Sequence, residues 1–173
     1  MFVKESDFIY KGYRCVVVFR DSLYRCGYVC IPQNNILYGK KQNDYLPVLK
    51  ANLSCPVGKR GSIPLFLAAF DDDERVRLDM YFDVHGSITY ADDKVDFDGN
   101  GPWWIGFDCG HHWDELDIIS ARRYWPNNER VKYRLRQTAE VHAGGAIRTQ
   151  EYVEAECKSL VDQIEALVER VGA

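Results

Sequence analysis

Two neighbouring segments near the start of the chain have the apolar composition of strands. Tyr13 to Phe19 and Tyr24 to Ile31 are rich in β-branched and aromatic residues, and Arg20-Asp21-Ser22 between them is typical of a turn. A third segment, 103–108, again has the composition of a strand. We therefore predict a mainly antiparallel sheet whose first two strands form a hairpin.

The last part of the chain has helical periodicity. Thr149 is a suitable N-cap, and Glu154 and Lys158 form an i, i+4 pair on the polar side. The opposite side carries apolar residues at helical spacing, namely Val153, Cys157, Leu160, Val161, Ile164, Val168 and Val171. We predict an amphipathic C-terminal helix packed on the sheet, so that residues 1–173 form a single α+β domain.

The pattern is weaker between these elements. It predicts loop with short extended pieces over 36–64, a short apolar run over 65–70, an alternating strand over 78–84 continued by 88–90, and a polar loop over 91–102. Residues 131–136 alternate between apolar or aromatic Val131, Tyr133 and Leu135 and basic Lys132, Arg134 and Arg136. This period of two predicts an edge strand with one basic face, and binding faces use the same pattern.

Composition narrows the class of protein. The 173 residues are 46% hydrophobic and 13% aromatic, enough for a sizeable core. The first residues lack the apolar stretch of a signal peptide, and no run approaches the ~18 apolar residues of a membrane span. The six cysteines have neither the spacing of a disulfide framework nor that of a zinc site. We expect a cytoplasmic protein without a membrane partner.

Charge is strongly segregated along the chain. The formal charge is +6 over residues 1–70, −11 over 71–117, +5 over 118–149 and −4 over 150–173, which leaves −4 in total. Blocks of this kind commonly form complementary surfaces inside one domain. The acidic total argues against non-specific binding of nucleic acid.

Groups that bind metals or move protons are concentrated where the third strand should end. Asp108, Cys109 and His111 follow that strand, and His85 follows an earlier extended segment. If the two segments are neighbours, His85, Asp108 and His111 form a two-histidine, one-carboxylate set for a divalent metal, with Asp114 as a further ligand. Turn-capping or backbone-bonded histidines are the structural alternative.

The same residues allow a thiol mechanism. Cys109 would be the nucleophile, His111 or His85 would activate it, and Asp108 would orient the imidazole. A buried structural cysteine at this corner is the competing interpretation. His85, Asp108, Cys109 and His111 are therefore the candidate catalytic residues.

Two further segments have the composition of ion sites. Asp96-Phe97-Asp98-Gly99-Asn100-Gly101 matches the opening of a calcium loop, although Phe107 stands where the bidentate Glu should be and a hairpin turn is the commoner explanation. Gly144-Gly145-Ala146-Ile147-Arg148-Thr149 precedes the last helix and has the parts of an anion site, although a flexible connection is the simpler interpretation.

Five short blocks follow one another along the chain, namely Cys26-Gly27-Tyr28-Val29-Cys30-Ile31-Pro32, Leu37-Tyr38-Gly39, His85-Gly86-Ser87-Ile88-Thr89-Tyr90, Trp103 to His111, and Tyr152-Val153-Glu154-Ala155-Glu156-Cys157. In this order they resemble a family of small phage and prophage proteins for which no activity is established. The family carries His-Pro at Asn34-Asn35, Gly at Ser87, and Ala-Gly-Asp at His112-Trp113-Asp114. The resemblance implies a phage-type context and one compact domain.

Two functions remain as hypotheses. The first is an accessory protein that binds a small anionic, nucleotide-like ligand or a host protein. Its ligand-binding residues would be basic side chains together with aromatic rings for stacking, chiefly Trp103, Trp104, Arg134, Arg136 and Arg148, with Arg122, Arg123, Trp113, Tyr124 and Trp125 in support. The second is a small hydrolase centred on the His/Asp/Cys cluster, either metal-dependent or thiol-based.

Overall fold

The computed structural model describes residues 1–49, 73–138 and 145–172, and a five-stranded sheet is its centre. Every neighbouring pair of strands is antiparallel, in the order β1-β2-β3-β7-β6. These strands are β1 (Phe2–Tyr10), β2 (Tyr13–Arg20), β3 (Arg25–Ile31), β6 (Tyr90–Val95) and β7 (Gly99–Asp108).

Shorter elements surround this sheet. β4 (Tyr45–Leu49) pairs with β5 (Arg75–Arg77), and β8 (Asp114–Glu115) pairs in parallel with β9 (Ala146–Ile147). The described helices are α1 (Leu78–Tyr81), α2 (Ile118–Tyr124), α3 (Glu129–Thr138) and α4 (Gln150–Gly172). No helix in the described ranges combines the length and the apolar content that crossing a membrane requires.

The central strands are buried on both faces of the sheet. Helix α4 covers one face, and a second apolar cluster covers the other. Cys15 and Val17 of β2 face the larger core together with the apolar side of α4, whereas Val16 and Val18 face a second cluster around Trp104. The absence of a side chain at Gly27 of β3 lets Phe107 and Cys157 pack directly against the backbone of this strand. A Cβ at Gly27 would lie 2.5 Å from Phe107 and 2.8 Å from the Cys157 sulfur.

The main features predicted from the pattern are confirmed. The chain is an α+β domain with a mainly antiparallel sheet, β2 and β3 form the predicted hairpin, and 103–108 lies within β7. The pattern missed β1, which precedes this hairpin and pairs with β2. Thr149 caps α4, because its hydroxyl accepts a hydrogen bond from the Tyr152 N–H at 3.3 Å. The predicted apolar stripe is buried from Val153 to Ile164, whereas Val171 is 37% exposed, and the buried Leu167 was missing from the prediction.

The prediction of an edge strand over 131–136 was wrong, because these residues lie in helix α3. Asn128 begins the helix by accepting the Val131 N–H on its side-chain oxygen at 3.1 Å. Val131 and Leu135, one turn apart, pack in a cluster around Phe19, whereas Tyr133 is exposed. Arg134 and Arg136 are therefore helix residues.

Two other local predictions were wrong. Residues 78–84 are not a strand: β5 ends at Arg77 and α1 follows, although Leu78, Met80 and Phe82 are buried as the alternation implied. The segment 91–102 contains most of β6 and the start of β7 rather than loop. The piece around Pro47 lies in β4, while those around Pro56 and Pro64 and the run 65–70 lie outside the described residues.

The basic and acidic blocks of the sequence face each other within the domain. Arg14 pairs with Asp98 at 2.8 Å and Arg20 with Asp96 at 2.5 Å, both across the sheet. The buried guanidinium of Arg25 pairs with Glu5 at 2.6 Å and Asp117 at 2.7 Å. The segregation of charge therefore serves, at least in part, to bring complementary surfaces together.

Candidate functional site

Three separate parts of the chain meet beside the end of β7 and form a polar cluster of His85, His111, Asp114, Arg148 and Tyr152. Backbone hydrogen bonds hold the converging segments. Thr89, just before β6, donates to the Gly106 carbonyl at 2.9 Å, and Cys109 donates to the Arg25 carbonyl at 2.9 Å. The first turn of α4 supplies Tyr152.

Asp114 is the centre of the polar cluster and is only 3% exposed. Its Oδ2 accepts hydrogen bonds from His85 Nε2 at 2.7 Å and from the backbone N–H of His111 at 3.1 Å, and lies 3.2 Å from His111 Nδ1. Its Oδ1 accepts from Arg148 Nε at 2.8 Å. Both carboxylate oxygens of Asp114 therefore have hydrogen-bond donors, as a buried charged group requires.

These donors also decide the charge of Asp114. Burial favours the neutral acid, but hydrogen bonds from Arg148, His85 and the His111 backbone outweigh it, so the pKa of Asp114 is lowered. The cluster therefore holds a buried anion at neutral pH. Removing one partner of such a buried charge costs about 3–5 kcal/mol.

His85 is buried and held from both sides. Its Nδ1 lies 3.1 Å from the Tyr152 hydroxyl, and its backbone N–H donates to Glu156 Oε2 at 2.8 Å. A tyrosine hydroxyl can donate or accept a hydrogen bond. Tyr152 can therefore support either tautomer of His85, so Nε2 can carry a proton toward Asp114 or offer a lone pair to an ion.

His111 is the more accessible histidine, with 21% of its side chain exposed. Its ring stacks on Trp113, with centroids 5.0 Å apart and an interplanar angle of 6°. The centroid of the His85 ring lies 5.1 Å from that of His111, at an interplanar angle of 65°. The adjacent His112 is exposed, so only one residue of the His-His pair belongs to the cluster.

The backbone beside His85 is strained. Gly86 has a φ of +72° and Ser87 a φ of +117°. The value at Ser87 lies where residues with a side chain are rarely found, and such a conformation costs on the order of 1–3 kcal/mol. Strain of this kind is concentrated at functional sites.

His85, His111 and Asp114 can together hold a metal ion. Each offers one ligand atom, and these atoms lie within 4.8 Å of one another. Among the described residues, no other set of His, Cys, Asp and Glu side chains meets the same criterion. Two histidines and one carboxylate suit zinc or another divalent transition metal, and leave coordination positions open.

Two of the predicted site residues do not join the metal-ligand set. The Asp108 carboxylate accepts the Gly110 N–H at 3.0 Å and so closes the turn after β7. Cys109 is 1% exposed and lies in the larger core. Burial, with a contribution from the Asp114 charge, raises the pKa of the Cys109 thiol, so it stays protonated at neutral pH.

The predicted ligand-binding residues are dispersed. Trp103 and Trp104 are buried, 7% and 0% exposed, in the two cores on opposite faces of the sheet. Arg134 and Arg136 lie on α3. Arg148 belongs to the polar cluster, where its guanidinium also lies 5.0 Å from the Tyr152 ring centroid.

The two other ion-site candidates have structural roles. Asp96 and Asp98 lie in the β6–β7 hairpin, and Arg20 and Arg14 neutralise their carboxylates. In the glycine-rich segment, Ala146 and Ile147 form β9, and Arg148 pairs with Asp114. Gly144 lies outside the described residues.

Sequence reasoning gave Asp114 only a secondary place and missed Tyr152 and Glu156. The spacing of Asp114, three residues after His111, is the signal that could have identified it. Tyr152 lies 67 residues after His85. Helical periodicity explains the segment that carries Tyr152, so the pattern gives no signal for a site there.

Comparison of the chain with protein-family models, with curated proteins and with solved structures finds no match.

Proposed function

We propose that the protein is a metal-dependent hydrolase in which His85, His111 and Asp114 bind one divalent ion. The observation that carries the proposal is the convergence of their three ligand atoms within 4.8 Å around a buried carboxylate. An ion with two histidine ligands and one carboxylate keeps an open position for water and lowers the pKa of that water. Zinc hydrolases use this ligand set, and hydrolysis is the reaction class that we propose for this centre.

The surroundings of the ligands support this proposal. Ligating histidines usually donate their second ring N–H to a hydrogen-bond acceptor, which fixes the ring and its tautomer. The Tyr152 hydroxyl, 3.1 Å from His85 Nδ1, can accept that proton. The partial exposure of His111 gives an ion and a substrate a route to the site.

Arg148 favours an anionic substrate. Its Nε is engaged by Asp114, whereas its Nη atoms form no hydrogen bond with a described residue, and a quarter of the side chain is exposed. A guanidinium placed next to an ion binds phosphate or carboxylate oxygens well. We infer an anionic ester as the substrate class.

The thiol-based alternative receives no comparable support. A nucleophilic cysteine needs partial exposure and a lowered pKa, and Cys109 has neither.

Hydrolysis assays with and without metal test the proposal. We expect turnover of a panel of chromogenic phosphate and carboxylate esters after addition of Zn²⁺, Mn²⁺ or Co²⁺, and loss of turnover with EDTA. His111→Ala should reduce the rate at least 100-fold, whereas His112→Ala, the exposed neighbour, should leave it unchanged. Equal rates for the two variants would contradict the proposal that the protein is a hydrolase. An ion bound by His111 without turnover of any ester would contradict it as well.

A further inference from the structure

A groove lies between the end of α2 and one side of α3, apart from the polar cluster. Its volume is about 590 Å³, within the roughly 300–1,000 Å³ of small-molecule sites. The residues that line it are Arg122, Trp125, Pro126, Lys132, Leu135 and Arg136. None of them contributes to the proposed metal site.

The charge of the groove is positive and only partly neutralised. Lys132 pairs with the exposed Glu129 at 2.8 Å. Arg122 and Arg136 are exposed, and neither forms an ion pair with a described residue. Two guanidinium groups on opposite elements of one groove can bind a phosphate through paired N–H donors.

The groove also has a rigid aromatic wall. The Trp125 ring is half-buried and stacks on Phe19, with centroids 5.6 Å apart and an interplanar angle of 18°. Phe19 is completely buried, so this contact fixes the position of the indole. A fixed indole beside two exposed arginines suits a ligand with a flat ring at one end and an anion at the other.

We propose that this groove binds a nucleoside phosphate. Its phosphates lie against Arg122 and Arg136, and its base lies against Trp125. The proposal is independent of hydrolysis, because nucleotide binding here uses no ligand of the metal site.

Calorimetric titration with ATP, AMP, adenosine and tripolyphosphate, all in EDTA, tests the proposal on the full chain. We expect ATP to bind with a micromolar dissociation constant, and Arg122→Gln and Arg136→Gln each to weaken it at least tenfold. Arg123→Gln, a neighbouring exposed arginine that does not line the groove, should change the affinity less than twofold. His111→Ala should leave nucleotide binding unchanged.

The ligands distinguish phosphate recognition from base recognition. Trp125→Leu should weaken the binding of ATP at least fivefold and the binding of tripolyphosphate less than twofold. Tripolyphosphate that binds as tightly as ATP would overturn the role of Trp125. Absence of ATP binding, or ATP binding that is insensitive to both groove arginines, would overturn the site itself.

Discussion

Gly86 and His111 are packed so closely that residue 86 has no room for a side chain. A Cβ at Gly86 would lie 2.1 Å from both Cε1 and Nε2 of His111. The glycine therefore fixes where the accessible histidine of the polar cluster lies, in addition to adopting a φ of +72°. The bend that carries His85 and the turn that carries His111 are thus matched in shape.

Gly86→Ala should displace His111 and weaken metal binding. Gly39 is a matched control, because its φ of +78° is similar and a Cβ there meets nothing within 4 Å. Both substitutions carry the cost of a left-handed backbone, roughly 1 kcal/mol, and only Gly86→Ala adds a clash worth about 1–3 kcal/mol. Urea unfolding and Zn²⁺ titration of the two variants check this. Equal losses in both would show that the contact with His111 has no energetic weight.

Ser87→Gly should stabilise the fold. Glycine relieves the strained φ of +117° at this position, and the gain should be about 1 kcal/mol in the free energy of unfolding. Lys11→Gly, at a less strained φ of +48°, is the control and should gain less. Denaturant melts of both variants measure the difference. A loss of stability in Ser87→Gly would mean that the buried serine side chain makes a larger contribution than the strain.

Cys109 should be chemically inert in the folded protein. Burial raises the pKa of its thiol, so almost no thiolate is present at pH 8. Mass spectrometry after alkylation should find Cys109 unmodified when the more exposed Cys30 has reacted. Cys109→Ala should keep at least half of any ester hydrolysis. A metal-loaded Cys109→Ala variant without turnover would instead restore the thiol mechanism.

Asp117 should make stability depend on pH in the acid range. Burial raises its pKa, but hydrogen bonds from Ser120 and Arg25 outweigh burial and the pKa is lowered. A lowered pKa contributes stability that is present above the unfolded value of about 3.8 and lost as pH falls through the folded value.

Asp117→Asn isolates this effect because asparagine can still cap α2. The variant should lose about 2 kcal/mol at pH 7, with the gap to the wild-type protein closing as pH falls below about 3.8. Asp83→Asn, at an exposed position, should show no such convergence. Unfolding free energies measured from pH 7 to pH 2 provide the comparison. A gap in Asp117→Asn that stays constant to pH 2 would contradict the lowered pKa.

β2, β3 and α4 were predictable from residue composition and spacing, whereas β1 and β6 were not. β2 is rich in β-branched residues, which favour a strand, and α4 repeats its buried positions over about four turns, from Val153 to Leu167. The six residues 131–136 are different, since Val131 and Leu135 fit both a strand of period two and one helical turn. Packing of Val131 and Leu135 against Phe19 favours the helix over the strand. The N-cap at Asn128 is the local sequence signal for this helix.

The candidate site was predictable only in part. The meeting of His85 with His111 was expected only if a strand over 78–84 lay beside 103–108. The two histidines meet although 78–84 is not a strand, because β6, which follows His85, pairs with β7. The sequence pattern favours Asp108, which ends the strand, as the carboxylate of the site. In the structure, the turn after β7 instead places Asp114 against both histidines. Which carboxylate enters a site depends on turn geometry that the sequence pattern does not determine.

Anomalous diffraction from crystals grown with Zn²⁺ tests the metal site most directly. The account predicts one strong peak within about 2.0–2.2 Å of a ring nitrogen of His85, a ring nitrogen of His111 and a carboxylate oxygen of Asp114. That peak should persist in His112→Ala and vanish in His111→Ala. Zinc bound only at His112 or elsewhere on the surface, with the hydrogen bonds of Asp114 intact, would contradict it.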